Sequence, residues 1–199
     1  MSATNAIALL YGPSEVWKKI SDKQQSVTEI YLKFLIFFAA IPPASAFVGA
    51  TYVGWTVGDN TYKLTTESAL YLSISAYFAI LVAVAVIAAF IHWMAKTYGT
   101  EPRYRRCLKL TAYSLTPMFL AGVLGSWPIL WLDMLITLVA IGMSVNLLYK
   151  GVPTVMGINQ EKGFLFASSI LTVCMVSFVG MLAITIVFWG SGVSPIFTS

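Results

Sequence analysis

Residues 68–95 contain no Asp, Glu, Lys or Arg. Crossing the hydrocarbon core takes about 20 mainly apolar residues. A stretch of that kind satisfies its own backbone hydrogen bonds in lipid by coiling into a helix. Four further stretches, 31–54, 110–126, 127–149 and 164–189, are likewise mainly apolar, with Lys33 and Asp133 the charged residues within them. The third and fourth of the five are divided only by "LGSWP", where Gly125 can end one helix and Pro128 can open the next. Read as one helix they would overrun any ordinary bilayer, so two spans are expected.

Composition agrees. The chain is 58% hydrophobic and 10% charged, where a soluble domain carries about 25% charged residues. So little charge leaves most of the surface to lipid. The net charge of +4 is no sign of a nucleic-acid partner, because in such a chain the placement of the cations carries the information. Of the 12 Lys and Arg, all but Lys63 fall on one side of the expected bundle. That side is expected to be the cytoplasm, with the C-terminus on the far side. The first residues, "MSATNAIALLYGP", have no basic segment ahead of an apolar one, so no secretory signal is expected there.

Ahead of the first span, Trp17, Ile20, Val27 and Tyr31 recur at helical spacing, with Lys18, Lys19 and Lys23 largely elsewhere around the wheel. Residues 14–30 are expected to form an amphipathic helix on the membrane surface, running on into span one. The fold class is therefore all-α: five transmembrane helices in a bundle, preceded by a short amphipathic interfacial helix. A cytoplasmic segment 1–30 and a membrane domain 31–199 follow as the domain division.

The connector "LLYKGVPTVMGINQEKGF", residues 147–164, has the composition of a loop site but reads as a stop and a restart. Tyr149 and Lys150 suit an interfacial helix end, Gly151 a left-handed cap and Pro153 a helix stop. Asn159 suits an N-cap and Glu161 the first turn of the last span.

Catalytic constellations are sparse. His92 is the single histidine, which leaves no His-rich metal site, and beside Trp93 it reads as interfacial. No G-x-S-x-G elbow occurs, "GMSVN" at 142–146 being a near miss, and no phosphate-binding G-x-x-x-x-G-K-[ST] loop. Cys107 and Cys174 form no C-x-x-C. No cofactor, metal or catalytic residue is expected. Asp133 is the one acid inside an apolar run, and an intramembrane carboxylate is a functional candidate by default. It also lies close enough to Pro128 to be an interfacial acid. Pro42 and Pro43 are expected to break or kink span one, and Pro117 span three. Trp17, Lys18, Lys19, Arg103, Arg105 and Arg106 make up the candidate surface for anionic headgroups or a partner.

Three motifs resemble the Ypt-interacting-protein (Yip) family, within it the bacterial inner-membrane YohC-like branch. "LYGP" at 10–13, followed by Trp17, is similar to the family element before the membrane domain, with Leu9 where the family has Asp. "AYSLTP" at 112–117, holding Tyr113 and Pro117, is similar to its Gly-Tyr-Ser-Leu-x-Pro segment. Tyr149, Gly151 and Pro153 match its Tyr-x-Gly-x-Pro end of span four, and the five-span layout agrees. The resemblance implies a non-enzymatic membrane protein, a scaffold or adaptor that organises other membrane components or its own copies. It supplies no catalytic residue. Eukaryotic members interact with Rab-type GTPases through a long N-terminal region, much of which the segment 1–30 lacks. The alternative from residues alone is a small transporter or channel whose path runs by Asp133 and the proline-bearing helices.

Overall fold

The computed structural model describes residues 13–57, 59–190 and 195–198. The motif residues Leu10, Tyr11 and Gly12 lie outside them. Five helices are long and apolar enough to cross a membrane. They are α2 (Val27–Val53), α3 (Thr66–Tyr98), α4 (Tyr104–Ser126), α5 (Leu130–Met156) and α6 (Gln160–Gly190), after a short α1 (Pro13–Asp22). Only 17% of the most apolar window of α5 and 6% of that of α6 are buried by protein. Apolar surface on that scale calls for lipid to cover it.

α1 does not run on into span one, as the periodicity predicts. Lys23–Gln24–Gln25 interrupt it, and Ser26 starts α2 with a capping box: Glu29 N donates to Ser26 Oγ at 3.1 Å, and Ser26 N to Glu29 Oε2 at 3.3 Å. Two of the first-turn donors that a helix leaves unsatisfied are met this way. A second helix start outcompetes continuation.

Pro42 and Pro43 do not break span one. The α-helix is continuous over Ile36–Val48, and wider π turns, Tyr31–Leu35 and Gly49–Val53, flank it on both sides. A π turn changes local register without ending the helix. Span three does break: its first helical segment ends at Ser114, a second begins at Thr116 with Pro117 in its first turn, and Gly122–Ser126 tighten to 3-10 geometry.

Gly151 and Pro153 do not end span four, because α5 continues to Met156. The left-handed cap is Gly157 (φ 69°), whose N–H donates to Pro153 O at 2.9 Å. Asn159 does cap α6, its Oδ1 accepting from Lys162 N at 2.9 Å, and Glu161 sits in the first turn.

The core fills the end of the bundle nearest α1. Trp17, Ile20, Leu35, Ile91, Leu108 and Phe166 are among its fully buried side chains. At the opposite end β1 (Trp55–Val57) and β2 (Asn60–Leu64) form an antiparallel hairpin between spans one and two, pairing Trp55 with Tyr62. The C-terminal residues return as β3 (Phe197–Thr198) against β2. Thr65 N donates to Ile196 O at 3.0 Å, and Ile196 N to Ser68 Oγ at 3.2 Å. Lys63, the exceptional cation, donates to Tyr52 O at 2.6 Å, where the last carbonyls of span one carry partial negative charge.

Candidate functional site

Two regions bring candidate residues together, one at each end of the bundle. The first is built on α1. Trp17, expected against lipid, is instead 0% exposed, as is Ile20. The apolar face of this amphipathic helix lies on protein, and the residue that makes room is Gly151. A Cβ there would come within 2.7 Å of both Leu110 Cδ1 and Trp17 Cε2. Gly151 therefore serves as the floor beneath the Trp17 ring, not as a helix cap. Lys18 and Lys19 stay on the exposed side.

Lys109 fastens the other end of α1. Only 3% exposed, it donates from Nζ to Ile20 O at 3.0 Å and also to Lys23 O. A cation on the last carbonyls of a helix satisfies orphan acceptors and meets the negative end of the helix dipole. Sequence reasoning counted Lys109 only as an orientation charge. The missed signal was its i,i+4 spacing from Arg105, which shares a helix face with it only because α4 begins at Tyr104 and not near residue 110. Arg103 is the N-cap residue of α4, with Arg105 and Arg106 in its first turn. Arg105 Nη2 donates to Gln24 Oε1 at 3.0 Å.

The second region is a cavity of about 520 Å³ beside Pro42, α3, the later half of α4 and the first turns of α5. Its walls are mostly apolar, with Ile80, Val84, Leu115 and Phe119 among them, and Asp133 and Thr137 bring polar groups to it. Asp133 lies in the first turn of α5, where the helix dipole favours a carboxylate. Pro42 faces Gly122 across the α2–α4 contact; a Cβ on Gly122 would lie 2.6 Å from Pro42 Cγ. Pro43 is buried.

His92 Nδ1 lies 3.0 Å from Pro102 O, and its ring meets Tyr104 edge-on, which accounts for it structurally. Among the described residues no three His, Cys, Asp or Glu side chains are grouped to hold a metal.

The Yip1 domain family model matches residues 7–181. The chain belongs to the Yip1 domain family. It is 35% identical to inner membrane protein YohC of Escherichia coli K12 over 181 residues, 90% of this chain and 93% of that protein. The YohC of E. coli O6:H1 matches equally. The uncharacterized protein MJ0794 of Methanocaldococcus jannaschii is 27% identical over 129 residues, 65% of this chain and 90% of that protein. No solved structure matches significantly.

In this Yip1-family chain Tyr113, Pro117, Tyr149, Gly151 and Pro153 all make packing contacts or mark a helix break. Tyr113 is buried with its ring 4.5 Å from that of Phe34, and Pro117 sits at the break in span three. Tyr149 Oη and Ser168 Oγ are hydrogen bonded at 2.8 Å, linking α5 to α6. Pro153 lies on Gly163, where a Cβ would come within 2.5 Å of its Cγ. The first and third of the three motifs meet through one contact: Gly151 carries Trp17, four residues after Pro13 of the "LYGP" element.

Proposed function

We propose that this Yip1-family protein is a non-enzymatic scaffold or adaptor of the inner membrane, organising other membrane components or further copies of itself. Its basic end, with α1 and the start of α4, faces the cytoplasm and anionic headgroups, and its hairpin and C-terminal strand face the periplasm. YohC is named an inner membrane protein, and the side-to-side asymmetry of Lys and Arg supports this orientation. The observation that carries the reading is the division of the bundle. The half that holds α1 contains the main cluster of buried apolar side chains, and the cavity in the other half is walled mainly by apolar side chains. Such a bundle presents a braced surface at its basic end and offers ions little solvation through its middle.

Position favours a second reading, a small transporter, because Asp133 lines the cavity beside Pro42. Flux through the purified protein in liposomes separates the two, with protons, monovalent cations and small neutral solutes as probes. The adaptor reading expects no flux above protein-free vesicles. Flux that Asp133→Asn abolishes would replace it with transport. Orientation is tested with single cysteines at positions 19 and 197 in a Cys107→Ala/Cys174→Ala background. A membrane-impermeant maleimide applied to intact spheroplasts should label position 197 and spare position 19.

A further inference from the structure

Where α1 ends and α4 begins, the two helix ends enclose a cavity of about 250 Å³ at the basic end of the bundle. Lys23, Arg105, Arg106 and Lys109 bring positive charge to its wall, and Asp22 a carboxylate. Ser21 and Gln24 complete it with neutral polar groups. None of the four cations makes an ion pair; among the described residues the pairs are Lys33–Glu29 and Lys96–Glu101.

This charge arrangement is unfavourable taken alone. The first turn of α4 has no acid, and Arg103, Arg105 and Arg106 stand at its positive end, where a helix favours anions and repels cations. Lys109 adds a charge that cannot swing away, because its ammonium is held on the carbonyls of Ile20 and Lys23. Arg105 is likewise oriented by Gln24. Arg106 is exposed, and its side chain makes no hydrogen bond among the described residues. An anion with several acceptor oxygens would turn these repulsions into charge-assisted hydrogen bonds, and guanidinium groups suit such an anion best.

We infer that this cavity binds a phosphate group, contacted by Arg105 and Arg106, with Lys109 as the fixed charge behind them. The group can come from an anionic phospholipid, since the cavity lies at the end of the spans where headgroups pack, or from free phosphate. The inference rests on the fold alone and stands or falls separately from the adaptor reading.

The test is thermal unfolding of the delipidated full-length protein in maltoside detergent. It is titrated in turn with short-chain phosphatidylglycerol, phosphatidylcholine of the same chain length, and inorganic phosphate. Arg105→Gln/Arg106→Gln removes two charges from the cavity, and Lys18→Gln/Lys19→Gln removes two from the exposed side of α1. Arg106→Gln alone serves if the double variant does not fold. The expected result is a saturable rise in Tm whose midpoint moves by about tenfold or more in the cavity variant, and stays put in the α1 variant. A response to phosphatidylglycerol alone assigns the phosphate to lipid; an equal response to inorganic phosphate assigns it to a soluble source. Equal weakening by both double variants would reduce the effect to diffuse surface charge and overturn the site. So would the lack of a saturable response to any of the three ligands.

Discussion

Replacing Gly151 with Val tests how α1 is held. The new Cβ would stand 2.7 Å from Leu110 Cδ1 and 2.7–2.8 Å from two atoms of the Trp17 ring, against about 3.5–4.0 Å for ordinary carbon contacts. Either the ring or the helix under it must move by roughly 1 Å, and Trp17 and Leu110 are both fully buried. Overpacking of this kind costs about 1–3 kcal/mol. The better helix propensity of Val over Gly returns about 0.4 kcal/mol. The net cost is about 2 kcal/mol, and it falls on the contact between α1 and α5. α1 should therefore open locally about 30 times more often. Tryptic cleavage after Lys18 and Lys19, which are helical while α1 is docked, reads that opening directly when reclosing is fast. The expected outcome is a rise of about 30-fold in the cleavage rate there, with little change at Lys150. The clash also predicts strong non-additivity. In Trp17→Ala the ring is gone and Leu110, the other close neighbour, can turn into the space it leaves, so Trp17→Ala/Gly151→Val should cleave no faster than Trp17→Ala. An unchanged rate in Gly151→Val, or simple additivity in the double variant, would refute the packing of Trp17 on Gly151.

Lys109→Met should also loosen α1, by about 3 kcal/mol for two lost hydrogen bonds from a charged donor; the same proteolysis reads it, and a rate equal to wild type would mean the Ile20 and Lys23 carbonyls are satisfied without it. Gly122→Val brings a side chain against Pro42, including its backbone Cα at 2.8 Å, so the α2–α4 contact should lose about 1–3 kcal/mol, seen as a lower Tm in detergent. Removing residues 195–199 takes away β3 and the bonds of Ile196 to Thr65 and Ser68. Amide exchange in β2 should then accelerate while that of α3 beyond its first turn stays unchanged.

The local physics of single helices was open to reading from the residues. Long apolar runs dictate five spans, the Asn159 cap lies one turn from the residues it serves, and Pro117 breaks its helix because the missing N–H acts within the same turn. Pro42 and Pro43 show the limit of that reasoning: the same missing donors lie inside an α-helix that runs on unbroken from Ile36 to Val48, with π turns before and after it. Gly151 was misread for a related reason. A glycine near a polar connector suits a cap as well as it suits a close contact, and only the ring of Trp17, from a helix far away in the chain, selects the contact.

What the sequence by itself determined is therefore what short-range forces determine: hydrophobic length, charge asymmetry, and capping within a turn. Only the tertiary structure decided what covers each face. It put Trp17 on protein and not lipid, made Lys109 a clamp on α1, closed Arg105 and Arg106 around a polar cavity, and set Asp133 at the wall of an apolar one. It also paired Leu64 with Phe197. Each of these depends on which distant segment fills a given volume. The identity of an exposed or buried neighbour is not carried by the periodicity that makes a helix.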